Sequence, residues 1–173
     1  MMRRLQKTLV KVKVMKYSKT NSEGILRTDA AVNNFYKGFN CSQSVALAYC
    51  DIFGVEPELM LLMSASFGGG FARLRETCGA VSGMAIIIGL ATGMTDPDDQ
   101  ARKSYNYQVV QRAVKLFEEE NGGTHICKEF LGLKKAEGTY VAEARTTEYY
   151  EKRPCPKLIR SAATVLETIL EEI

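Results

Sequence analysis

The chain contains no CxxC pair, no CxxCH and only one histidine, His125. The first absence removes the usual signature of zinc ribbons and ferredoxin-type clusters, and the second removes covalent haem. No acidic residue precedes Ser22, and residues 1–22 hold no apolar stretch long enough for a secretory signal. Three successive glycines, Gly68, Gly69 and Gly70, lack both the lysine of a P-loop and the preceding strand of a dinucleotide fold, which sets a nucleotide loop aside. Repeats, low-complexity tracts and heptad seams are also missing.

Charge is absent from residues 77–95 as well. A membrane span needs about 20 mostly apolar residues, and this run is interrupted by four glycines, Ser82 and threonines. It therefore reads as a core helix, hydrophobic on every side and buried inside a helical domain. Thr77 is placed to cap it, with Cys78 at its first position, where free amides and the helix dipole favour a thiolate. Gly79 and Gly83, four apart, leave a flat strip for a neighbouring helix.

At 173 residues the chain has the length of one domain with a real core, so no disulfide or metal is needed for folding. The net charge of +3 conceals an asymmetry: residues 1–22 carry seven cations and no acid, leaving the remainder at −4. A basic run alone is a weak signal. We read residues 1–22 as a flexible or edge-strand extension, with 10–15 alternating like a short strand, and residues 23–173 as the domain. Neither a nucleic-acid nor a membrane partner is expected. Five cysteines without an export signal point to a reducing cytoplasm, where spaced cysteines are more often metal ligands or redox groups than staples.

Periodicity and caps place helices over residues 28–37, 41–53, 57–66 and 78–92, a long one after Asp96, a short one over 125–131, and a last one from Pro156. Asn40 and Gln43 have the spacing of a capping box. Residues 134–153 are polar and aperiodic, a long loop or lid. The class is all-α, a single bundle of about six to seven helices around the Gly/Ala/Ile-rich one.

Cys41, Cys78, Cys127 and Cys155 each fall at or near an expected helix start, while Cys50 falls mid-helix and on the opposite side from Cys41. Converging helix starts would give four thiols of lowered pKa and a tetrathiolate site. Arg73 and Arg75 follow the glycines, either to offset charge or bind an anionic partner, or as solvated surface groups. His125 lies close to Cys127, either as a surface histidine or as a proton donor or outer partner of the thiolate.

The segments GFNCSQ at 38–43, FGGG at 67–70 and CGAVSG at 78–83, followed by Cys127 and Cys155, resemble the C_GCAxxG_C_C family of redox-active proteins over roughly residues 28–170. Thr77 stands where the family name would suggest glycine. A related cysteine-rich domain occurs in split-Soret cytochromes, where an iron–sulfur cluster is implied. The resemblance thus implies a redox or metal-binding set at Cys41, Cys78, Cys127 and Cys155. It would hold an iron–sulfur cluster, or otherwise zinc or no metal, with Gly68, Gly69 and Gly70 bringing backbone amides near the sulfurs. An unidentified redox partner would follow. Two other readings stand beside it: a metal-free dithiol oxidoreductase using Cys78 and Cys41 with a lowered pKa at Cys78, and a structural helical homo-oligomer. The flat glycine strip suggests a homodimer.

Overall fold

The computed structural model describes residues 16–173. The expected strand at 10–15 lies outside the described residues, and so does most of the basic extension. The described chain is all-α: its only β-type pairings are isolated bridges, Thr20 with Leu26 and Thr77 with Ile126.

Helix α1 (Arg27–Tyr36) leads into α2 (Cys41–Leu47), α3 (Pro57–Ser64) and the four-residue turn α4 (Gly68–Phe71). Then come the central α5 (Gly79–Thr92), the long α6 (Gln100–Glu120), the short α7 (Cys127–Phe130) and α8 (Thr147–Lys152), and the closing α9 (Cys155–Glu172). No described helix is long and apolar enough to cross a membrane. The core gathers Phe35, Val45, Tyr49, Met84, Ile87, Ile88, Phe117, Ile159 and Leu166 from five of these elements and their junctions.

Helix α5 packs against α2, α6 and α9. Gly83 permits the first of these contacts, because a Cβ there would stand 2.6 Å from the Ser42 carbonyl oxygen. The flat strip therefore serves an intrachain junction. One face of α5 departs from the all-round burial expected of it: Ser82, Ala85 and Ile86 are only half-buried and Gly89 is exposed. Ser82, Ala85 and Ile86 form, with Phe67, Phe71, Val110 and Val114, an apolar groove.

The helix expected over 41–53 is broken. Helix α2 ends at Leu47, and a separate 3-10 turn runs over Cys50–Phe53. The interruption is made by Arg27, whose buried guanidinium donates to the Ala48 carbonyl oxygen at 2.7 Å and to both Asp51 carboxylate oxygens at 2.6 and 3.0 Å. A charge buried to this extent must be paired, and sequence periodicity gave no sign of it. Cys50 is buried here at the start of the turn, apart from the other cysteines, with its thiol donating to the Leu47 carbonyl oxygen.

Several caps shift by one or two residues. Helix α1 begins at Arg27 without a side-chain cap, and α6 is capped by Asp99, which accepts from the Arg102 N–H. Pro154, rather than Cys155, precedes α9. The box of Asn40 and Gln43 forms as read: Asn40 Oδ1 accepts from the Ser42 and Gln43 N–H groups at 3.0 Å, and the Asn40 N–H donates to Gln43 Oε1.

Candidate functional site

Four cysteines stand at four helix starts. Cys41 opens α2, Cys78 is the residue before α5, Cys127 opens α7 and Cys155 opens α9. Cys78 and Cys155 are buried, and Cys41 and Cys127 half-buried. Thr77 does not cap α5. It pairs with Ile126, and around that bridge the Cys78 N–H donates to the His125 carbonyl oxygen (2.8 Å), the Cys127 N–H to Glu76 (2.7 Å) and the Lys128 N–H to Arg75 (3.0 Å). This two-rung ladder sets Cys78 beside Cys127. His125 thus positions Cys78 through its backbone, while its ring is tied to Glu118 at 2.6 Å.

Glycines let the remaining pieces close. A Cβ on Gly79 would lie 3.1 Å from Cys41 Cβ, and one on Gly70 would lie 2.5 Å from Cys127 Cβ. Gly68 is pressed against the Asn40 side chain in the same way. Gly69 and Gly70 have φ of 66° and 69°, and the left-handed conformation continues through Phe71, Ala72 and Arg73, then recurs at Arg75. Left-handed backbone costs roughly 1–2 kcal/mol per non-glycine residue, so this stretch persists only because its surroundings fix it. Its consequence is that Arg73 and Arg75 both meet the 134–146 segment.

They are not solvated. The Arg75 side chain is 2% exposed, pairs with Glu137 and approaches Glu143 at 3.5 Å, while Arg73 bonds Glu137 and Glu143 at 3.1 Å each. Arg153 reaches Glu143 at 2.6 Å and stacks on Tyr149. Arg145 lies against the rings of Phe35 and Tyr149, 4.9 and 4.5 Å from their centroids. Residues 134–146 are therefore a strap, bound by ion pairs beside the cysteines, and α8 forms where a continuous loop was expected.

The four thiols act on one another, with Cys41 sensing Cys155, Cys78 and Cys127. Uniformly lowered pKa values do not result. Burial pushes Cys78 up to about 12, outweighing the Ala80 and Val81 amides that favour its thiolate. Burial also raises Cys127 despite the nearby Arg75 guanidinium. Cys41 and Cys155 shift each other in opposite directions. The Cys41 thiol donates toward Cys155, which raises Cys41, and burial raises it further. That same interaction, opposed by burial and aided by Arg153 and Arg145, brings Cys155 down to about 7. Burial therefore dominates at Cys78 and Cys127, while the contact between Cys41 and Cys155 dominates at those two.

Among the described residues, no group of three or more His, Cys, Asp or Glu side chains is placed to hold a metal ion. The donor chemistry suits a thiophilic metal, yet this arrangement of side chains is not a formed cage.

Fold and site together define an all-α protein with four cysteines at helix starts beside an arginine-bound strap. A family model described as "Putative redox-active protein (C_GCAxxG_C_C)" matches residues 39–169, and the chain belongs to that family. No curated protein and no solved structure matches the chain.

Proposed function

We propose that this protein is a thiol–disulfide redox protein working through Cys41 and Cys155. The observation that carries the reading is that α2 packs on α9 with Cys41 opening one and Cys155 the other, close enough for the two thiols to raise Cys41 and lower Cys155. A thiolate is the attacking species in thiol–disulfide exchange, and a nucleophile with a pKa near ambient pH is the most effective. With a small organic disulfide as oxidant, Cys155 sulfur attacks one sulfur of the substrate and expels a thiolate. Cys41 then attacks Cys155 Sγ, the second thiolate leaves, and the proton from Cys41 passes to a departing thiolate. Two electrons move to the substrate and one disulfide forms in the protein. Cys78 replaces neither partner, because burial keeps it protonated.

The experiment is cysteine alkylation followed residue by residue against pH. Cys155 should react with a midpoint near 7, below the ordinary thiol value of about 8.5. Cys41→Ser should move that midpoint upward, since the donated proton is gone. An ordinary midpoint at Cys155, with Cys78 reacting first, would contradict the assignment.

A second reading is a four-thiolate site for an iron–sulfur cluster or zinc at Cys41, Cys78, Cys127 and Cys155. It is supported by the mutual influence of all four thiols and by the surrounding guanidiniums, which suit a negatively charged thiolate set. The side chains would have to re-aim to form it. Metal and acid-labile sulfide analysis on protein purified without oxygen separates the readings: iron with sulfide near stoichiometry favours the cluster, and four titratable thiols without metal favour the pair.

A further inference from the structure

We propose that the cavity beside the cysteines binds a small oxyanion, the carboxylate, sulfonate or phosphate of a free solute. The cavity is about 300 Å³, and its wall includes Arg73, Arg75, Arg145 and Arg153 together with Asn40 and Gly69. Four guanidiniums face only two carboxylates there. Oε1 of Glu143 accepts from Arg73, Arg75 and Arg153, and Oε2 of Glu137 accepts from Arg73 and Arg75.

Arg145 has neither carboxylate. Among the described residues its Nη2 donates only to the Phe39 carbonyl oxygen, at 3.4 Å, and its Nη1 is buried with no hydrogen-bond partner. Contacts with the Phe35 and Tyr149 rings hold the guanidinium at the cavity wall. A buried donor without an acceptor costs about 1–3 kcal/mol, and more when charged. The rigid fork of arginine matches the paired oxygens of an oxyanion, and a volume of this size admits a small solute rather than a nucleotide. Arg145 and Arg153 also favour the thiolate of Cys155, so two guanidiniums of this wall act on that thiol as well. The binding itself is independent of the thiol-pair reading.

Equilibrium dialysis of the full chain against radiolabelled sulfate, at low ionic strength, tests the site. One saturable site per chain is expected, and Cys155→Ser should retain it whether or not the redox reading holds. Arg145→Gln and Arg153→Gln should each weaken binding about tenfold or more, as loss of a charge-assisted bond does. Arg112→Gln, at an exposed arginine paired with Glu172, should leave it unchanged. In the unaltered protein, sulfate should protect Arg145 and Arg153 from phenylglyoxal as read by mass spectrometry, which decides the matter even if a variant misfolds. Displacement of sulfate by glutarate at lower concentration than by phosphate would assign the site to organic acids. The reverse order would assign it to inorganic oxyanions, and either supports the proposal. Absence of saturable binding, or of protection at Arg145, overturns it.

Discussion

Gly70 sits at a close approach in the site, with φ of 69° and room for no side chain between Cys127 and the backbone at Arg75 and Glu76. Gly70→Ala should destabilise the fold by about 2–5 kcal/mol, the sum of a left-handed alanine and an overpacked contact. Gly122, with φ of 81° and open space around it, is the control: its alanine variant should lose only the conformational part, about 1–2 kcal/mol. Denaturant unfolding of the two variants measures the difference, and equal losses would refute the account of close approach at Cys127. The positions of the four cysteines were legible in sequence because caps, prolines and glycines mark helix starts. Their pKa values were not, since they depend on burial and on which thiol faces which. Arg27 was hidden for a similar reason, because a buried ion pair between residues 24 apart leaves no periodic trace.

Among the elements, the strap of residues 134–146 differs most from a helix or a packed loop. Tyr140 and Val141 are exposed, and the segment is tied down mainly by Glu137 and Glu143 on the arginines. Its aperiodic sequence was read as a loop or lid because charge pairing, unlike apolar packing, imposes no repeat. Burial alone would raise the Glu143 pKa, but the hydrogen bonds and charges of Arg153 and Arg73 hold it below the usual carboxylate value. The linked stability is therefore present above the unfolded value of about 4.3 and is lost as pH falls through the lowered one. Amide hydrogen exchange over residues 137–146 should quicken in Glu143→Gln at neutral pH, and in the unaltered chain when salt is raised, since exposed pairs are screened. Unchanged exchange in the variant would mean that other contacts hold the strap.

At the scale of the whole molecule, four chain segments far apart in sequence deliver a cysteine each to one end of a helical bundle. Helix α5 organises that convergence: its glycines seat α2, and the backbone before it pairs with the backbone before α7. The all-α class, the central helix and the capping box at Asn40 could be read from periodicity and turn chemistry. The pairing of Cys41 with Cys155 could not, because it follows from the packing of α2 near α9. The measurement that tests the central claim most directly is peptide mapping under non-reducing conditions after equilibration in glutathione buffers of graded potential. A reversible Cys41–Cys155 disulfide, with Cys50, Cys78 and Cys127 remaining free, is the predicted result. Disulfides joining other pairs, or four thiols unchanged across the whole range, would contradict it.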